Sequence, residues 1–468
     1  MAMAQKVYLT GESYPLFDNQ EDPSEEDWSF AHLTREETLW GPHGYHRYPA
    51  KFIPQLVRRL IEAYSAPGEL VGDPFVGSGT TGIEALRAGR RFWGADINAV
   101  ALLISRAKCR PLVPSNLLTA WTALEAQLDG VPRIGRRHLT DSEIEAIKAI
   151  DSAHASAEER LTYWFPLPYR ESLAAILQRI LLYSEGDARA FFLCGFSNIL
   201  RRCSTWLSGS TKAQKDVHKV LGDPADEFRR QVRDMLKRNR LYWQDIEQRG
   251  LDPVAIGDRC RIAHEDVRQL SLPDASLDLL VTSPPYATCY EYKEIHQLTQ
   301  LWFERYGIVP AGEEAWIGSK GVSHRASSKQ FTLLQTGSTS VDAALAELSL
   351  LASGSLTQTV HREVRALQHY FQDMSLAMGE MARVTIPGKY LVLVVGDSYR
   401  RGITIPTAQG LCEMAAQVGL DLERRIVRKV PARVLVSTRD KKSGRFSSTA
   451  QSDVRAYPEE YVLVFKKR

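Results

Sequence analysis

The sequence predicts an α/β protein built on a doubly wound, mostly parallel sheet, and three observations carry that prediction. Residues 69–96 read strand, glycine loop, helix, strand, which is one βαβ unit. Strand-sized apolar runs return at 260–264, 277–282 and 389–395, with helical spacing before the last of them. Between the two groups, over residues 110–255, strand signals nearly vanish and helical periodicity takes over.

Taken in order, residues 1–40 read as an acidic, weakly structured lead-in. Positions 11–37 hold nine carboxylates against the single Arg35. Residues 52–63 place Ile53, Leu56, Leu60 and Ile61 at helical spacing. A strand at 69–73, a glycine loop, a helix at 81–88 and a strand at 91–96 follow. Helical spacing at 163–183, 188–207 and 228–246 marks 110–255 as a helical insertion within one domain formed by 41–109 and 256–468. A second insertion, about 310–357, is rich in Ser, Thr and Gly and reads as a loop. A long amphipathic helix at 361–383 should stop before Pro387-Gly388, ahead of the strand at 389–395. After a helix at 407–418, strands at 422–430 and 461–466 suit a C-terminal antiparallel hairpin around a polar, basic stretch.

Composition narrows the function classes. The chain has 468 residues, 44% apolar and 25% charged, which excludes a largely disordered protein. Its longest apolar runs, such as 390–395, fall far short of the ~20 residues a membrane helix needs, so no membrane partner is expected. No secretory leader pattern opens the sequence. Cys109, Cys194, Cys203, Cys260, Cys289 and Cys412 form no CxxC pair, so neither a metal centre nor a disulfide framework is expected, and the thiols suit a reducing, intracellular setting. Net charge is only +3, but it is clustered. Residues 201–240 hold eleven Lys and Arg against five acids, and 424–445 hold nine against Asp440 alone. Such stretches are either solvated faces or docking surfaces for a polyanion.

The glycine loop Gly77-Ser-Gly79-Thr-Thr-Gly82 follows a strand and opens a helix, and Asp96 ends the next strand. That pattern suits a nucleoside-bearing cofactor, with the acid on a ribose hydroxyl. Asp73-Pro-Phe-Val intervenes before the first glycine. A carboxylate there would repel a pyrophosphate and attract an ammonium group, which favours S-adenosyl-L-methionine over NAD.

Together these residues carry a family resemblance. The segment 73–81 resembles the cofactor motif of the S-adenosylmethionine-dependent DNA amino-methyltransferases, which methylate cytosine N4 or adenine N6. His46-Arg-Tyr-Pro-Ala-Lys-Phe52 resembles the segment preceding that motif in many members, 91–98 the second strand, and His264-Glu-Asp266-Val-Arg268 the third motif. The resemblance implies a Rossmann-like methyltransferase sheet. It implies a cofactor site of Lys51, Phe52, Asp73, Pro74, Phe75, Gly77, Ser78, Gly79, Thr80, Thr81, Asp96, Ile97, Asp266 and Val267. His46, His264 and Trp316 suit either polar core or site.

Thr282-Ser-Pro-Pro-Tyr286 directly follows the apolar strand at 277–281. Its prolines stiffen a loop at the strand's C-terminal end, where doubly wound folds place ligands. It resembles the catalytic Ser-Pro-Pro-Tyr motif of the same family. Acceptors from Ser283 and the Pro284 carbonyl would favour a pyramidal amine. Pro285 would stiffen the loop, and Tyr286 would stack on a flipped base. Ser at the first position favours cytosine N4, with adenine N6 the alternative and an RNA amino-methyltransferase a more distant one. Attack through cytosine carbon 5 needs a catalytic cysteine, and Cys289 lacks the context for it. The motif order is a permuted one, with the cofactor loop first. An inserted region usually reads the target in this family, which makes 110–255 the candidate recognition region and Arg201, Arg202, Lys212 and Lys215 its candidate DNA contacts. Double-stranded DNA is the implied partner. A restriction-modification setting, a cognate restriction endonuclease and a prokaryotic cytoplasm complete the expectation.

Overall fold

The fold is built on central strands that are apolar on both faces. In the computed structural model, β1 (Leu70–Asp73), β2 (Arg91–Asp96), β3 (Cys260–His264), β4 (Leu277–Thr282), β5 (Thr385–Val395), β6 (Leu420–Lys429) and β7 (Glu459–Lys467) form one sheet of order β3-β2-β1-β4-β5-β7-β6. The structure describes residues 27–48, 51, 53–150, 155–210, 213–287, 292–311, 317, 333–429 and 459–468, with short strands at Thr438–Arg439, Phe446–Ser447 and Val454–Arg455. The first five strands in that order pair in parallel, and β7 runs antiparallel to both neighbours. The expected C-terminal pairing is therefore present, with β7 inserted between β5 and β6.

Alternation along β5 divides the core in two. Val392 and Val394 face a layer containing α1 (Pro54–Tyr64) and α2 (Thr80–Arg87), while Leu391, Leu393 and Val395 face the helices Thr339–Ser349, Thr357–Val384 and Thr407–Gln417. Sheet order reverses between β1 and β4. The C-terminal ends of those two strands accordingly face the crevice that doubly wound sheets use for ligands.

Residues 110–255 are helical, and their aromatic and aliphatic side chains make a third core. Helix–sheet contacts tie this unit down. Tyr242 and Ile246 of α5 (Pro224–Gln248) pack into the sheet layer that lies over α2, and Arg87 pairs with Asp245 at 2.9 Å. From the other side, Leu298, Trp302 and Phe303 of α6 (Tyr292–Arg305), which follows the proline loop, enter the insertion's core.

Several expectations need correction. The lead-in is ordered over 27–40. Trp28 and Phe30 are buried, the Arg59 guanidinium lies 4.7 and 4.6 Å from their rings, and Thr34 with Glu37 caps a short helix. The expected helix at 163–183 is two helices, Ala157–Trp164 and Leu167–Tyr183, because Pro166 cannot supply an interior N–H. The expected loop at 310–357 contains the helix Thr339–Ser349, capped by Ser338 and buried through Val341, Leu345 and Leu348. The long helix runs straight into β5, which carries Pro387-Gly388 within it. No helix among the described residues is long and apolar enough to cross a membrane.

Close packing also explains two of the loop glycines. A Cβ at Gly82 would lie 2.6 Å from Cys109 Sγ and 2.7 Å from the Phe92 ring; at Gly79, where φ is +80°, it would meet Cys109 and Ser105 of α3 (Ala99–Cys109) at about 3 Å. These glycines let α2 approach α3 and β2. Gly82→Val should therefore destabilise the fold by about 1–3 kcal/mol through overpacking. Urea unfolding checks this, and an unchanged midpoint would show that α2 can shift freely.

Candidate active site

Asp73 ends β1 and is buried, with both carboxylate oxygens engaged. It accepts from the Thr282 and Thr81 hydroxyls, each at 2.6 Å, and from the Phe75 amide at 3.1 Å. One side chain thereby joins β1, the glycine loop, α2 and the end of β4. The carboxyl is pushed up to about 6, chiefly by burial, with these donors pulling the other way.

The loop then turns at Gly77, whose φ is +47° and whose N–H donates to Asp96 at 2.9 Å. Asp96 also accepts from the Asn98 amide, and the Asn98 side chain caps α3 by accepting from the Val100 and Ala101 amides. The end of β2 is thus locked to the first glycine. Just beyond β3, Arg268 holds the Asp266 carboxylate through Nε and Nη2 while also reaching Asp373. Burial raises the Asp266 carboxyl, but the Arg268 hydrogen bonds outweigh it and hold the group below its ordinary value.

A cleft with about 900 Å³ of empty space, open solvent at its mouth included, runs along the ends of β1, β2 and β4. Thirteen of the residues singled out from the sequence line it: Lys51, Asp73, Pro74, Phe75, Gly77, Ser78, Thr80, Asp96, Ile97, Asp266, Val267, Ser283 and Pro285. Gly79 and Thr81 stand behind it, and Phe52 lies outside the described residues, as do Lys212, Cys289 and Trp316. Sequence reasoning missed Tyr48, Val76, Asn98, Glu265 and Ile317 as lining residues. All but Ile317 are neighbours of motif residues, and that adjacency was the available signal.

Pro284 and Tyr286 of the proline loop do not line this cleft. Tyr286 is half-buried, and its hydroxyl donates to Glu460 of β7 at 2.7 Å. Glu460 in turn accepts from the buried Arg428 of β6 at 2.6 Å, whose Nε donates to the Trp28 carbonyl at 3.1 Å. His46 is buried and hydrogen-bonds Ser197 at 2.8 Å, and Ser197 hydrogen-bonds Thr299 of α6 at 2.7 Å. His264 donates to the Ile97 carbonyl at 2.7 Å. Both histidines therefore brace the site's walls.

The proposed DNA contacts fall elsewhere. Arg201 and Arg202 line a second cleft, in the insertion. Lys215 holds its ammonium 3.9 Å above the Tyr163 ring, and burial lowers its affinity for a proton.

Comparison with known proteins fits this geometry. The N6/N4 methyltransferase model of DNA methylases matches residues 5–106, which include the glycine loop and Asp96. The chain is 25% identical over 476 residues to the Type II methyltransferase M.MvaI of Kocuria varians, covering 97% of this chain and 99% of that protein. Both matches support the DNA amino-methyltransferase family for this chain. The methyltransferase is also 38% identical over 84 residues to the Type II methyltransferase M.MjaII of Methanocaldococcus jannaschii, across 18% of this chain and 16% of that one. Among solved structures, a TehB-like SAM-dependent methyltransferase from Corynebacterium glutamicum aligns at 10% identity over 88% of this chain and 87% of that chain, with a TM-score of 0.26. At that score the fold assignment rests on the strand order itself.

The matched DNA methylase family implies S-adenosylmethionine as the cofactor. The residues present fit it. Ser78 Oγ is buried without a protein partner among the described residues, and Lys51 uses one of its donors on the His43 carbonyl at 2.9 Å. Both line the cleft, with apolar walls from Phe75, Ile97 and Val267 alongside.

The Asp73 clamp has a pH signature. A carboxyl raised from 3.8 to about 6 on folding stabilises the folded state while protonated. That contribution is complete below about 3.8 and is lost as pH rises through about 6. Asp73→Asn should therefore flatten the fall in unfolding free energy between about pH 4 and 6, by on the order of 1–3 kcal/mol. Denaturant titrations across that range would refute the clamp if wild type and variant gave parallel profiles.

Proposed function

We propose that the methyltransferase transfers a methyl group to the N4 amino group of a flipped cytosine in double-stranded DNA. One observation carries the choice of base: a hydroxyl, Ser283, stands with Pro285 in the cofactor cleft, where β4 ends. Adenine N6 is the alternative. A Type II methyltransferase as full-length relative supports a restriction-modification setting, in which a cognate endonuclease would be the partner.

Cofactor contacts divide along the cleft. Lys51 and Ser78 would hold the amino-acid end of S-adenosylmethionine, with Thr80 beside them. Asp96 would take the ribose hydroxyls with the acceptor capacity its two backbone donors leave. Ile97 and Val267 would enclose the adenine, and Asp266 would accept from its amino group. Pro74, Phe75 and Gly77 shape the wall, while Asp73, Gly79 and Thr81 position the loop. When bound, the cofactor supplies an electrophilic methyl group on a sulfonium centre.

An exocyclic amine is a poor nucleophile because its lone pair is delocalised into the ring. Ser283 Oγ and the Pro284 carbonyl would accept the amine's two N–H bonds, favour a pyramidal nitrogen and stabilise the positive charge that grows on it. The two prolines keep those acceptors in place without reorganisation. Tyr286 would meet the base outside the cofactor cleft, with its ring fixed by the bond to Glu460.

Incubation with isotopically labelled S-adenosylmethionine and DNA, followed by mass spectrometry of the digested product, should show N4-methylcytosine. N6-methyladenine would overturn the base assignment, and labelled RNA with unlabelled DNA would overturn the substrate. Ser283→Ala should cost about 10–1000-fold in rate with cofactor binding nearly intact. Cys289→Ser should retain most activity, and a dead variant would overturn direct attack by the amine. Tyr286→Phe should be milder than Tyr286→Ala because stacking on the base survives.

A further inference from the structure

The insertion holds a second cleft, with about 760 Å³ of empty space, in which cations outnumber acids. Arg47, Arg136, Arg201, Arg202, Lys219 and Arg230 line it, and Glu227 is the one carboxylate among the lining residues. These cations do two different jobs. Lys219 spends its donors on the carbonyls of Arg201, Ser204 and Trp206 at 2.6, 3.1 and 2.9 Å. Arg201 donates to the carbonyls of Ser210 and Ile295 and lies 4.5 Å over the Trp206 ring. Both are struts that shape the wall. Arg202 and Arg230 share Glu227, which is nearly buried. Arg47 and Arg136 are exposed, and among the described residues neither guanidinium has an acceptor.

We infer that this cleft seats the sugar-phosphate backbone of the DNA next to the target base, with Arg47 and Arg136 as its phosphate ligands and Arg202 and Arg230 completing the wall. The inference rests on the proposed DNA substrate and names where that substrate is held. Two links place the cleft beside the site. Arg47 opens on it while its neighbour Tyr48 lines the cofactor cleft. The Arg47 amide is pinned to Asn198 at 2.9 Å, and Asn198 to Gln231 at 2.7 Å, so this junction is held by the insertion's helices. On the other flank, Arg201 grips Ile295 of α6, the helix that follows the proline loop. Guanidiniums also converge here from four separate segments. A chain of phosphates can engage such a spread, whereas one free anion would satisfy a single pair.

The test is the salt dependence of affinity for a mixed-sequence DNA duplex, measured on the full chain. Each phosphate contact contributes about 0.9 to the slope of log affinity against log salt. R47A/R136A should lower that slope by roughly 1–2, whatever the duplex sequence, while calorimetric binding of S-adenosylmethionine is unchanged. R47K/R136K should restore the slope, because charge and not local packing sets it. DNA binding with an unchanged slope would overturn the cleft's role and leave the methyl-transfer reading standing. An unmodified chain that neither binds nor methylates DNA would overturn both. Calorimetry with inorganic phosphate is the second arm. Saturable phosphate binding lost in the double variant, with the DNA slope intact, would make this a free-anion site and overturn the inference.

Discussion

Everything at the cofactor cleft depends on one buried carboxylate. Asp73 gathers a hydroxyl from α2, a hydroxyl from the end of β4 and an amide of its own loop. Hydrogen bonds to a charged group contribute about 1.5–3 kcal/mol each, and an unsatisfied buried carboxylate would cost more than any of them returns. Glycine loop and proline loop therefore cannot drift apart without exposing or orphaning this group. The pairing matters for function because the two loops lie on different strands and come from positions more than two hundred residues apart in the chain. Sheet geometry brings β1 beside β4, and Asp73 sets the loops at their ends.

A second buried acid secures the layer behind the cleft. Glu84 on α2 meets His43, Arg58 and Arg87, and Arg87 passes the connection to Asp245 on α5. Burial lifts the Glu84 carboxyl to about 7 and drives the His43 imidazole well below its ordinary value, so both sit in a dry environment. With the His46–Ser197–Thr299 chain, this network makes the helical insertion part of the site's framework and not a tethered module. The helix after the proline loop completes that framework, since Trp302 and Phe303 bury their rings in the insertion's core.

Charge along the sequence has a mixed fate in space. In the C-terminal basic stretch, Arg428 is buried against Glu460, Arg424 lies over Trp28 and Arg425 over Tyr461. These cations join the ordered lead-in and β7 to the sheet edge, and through Glu460 they reach Tyr286. Lys215 and Lys219 are likewise spent inside the insertion. A count of Lys and Arg cannot separate such struts from free cations, because guanidinium and ammonium groups serve carbonyls and rings as readily as phosphates.

The sequence alone determined the α/β class, the βαβ unit, the helical character of 110–255 and most of the cleft's lining. Each of these is written in local terms: strand-length apolar runs, glycines ahead of a helix, prolines after a strand. Thirteen predicted residues met in one cleft because motifs at strand ends must converge where the sheet order reverses. What sequence could not decide was anything set by contacts between distant segments. Asp73 looked like a ligand for a cofactor's ammonium, and only the folded structure gives its carboxylate the partners Thr81, Thr282 and Phe75. The acidic lead-in looked unstructured, yet Arg59 and Arg428 supply partners for its Trp28. Arg47, a neighbour of the cofactor motif, and Arg136, far along the insertion, share a cleft only because α5 and the helix Gly186–Ile199 hold their segments together. A hydrogen bond or an ion pair is satisfied by whatever partner folding brings within about 3 Å, and periodicity along a chain carries no record of that partner.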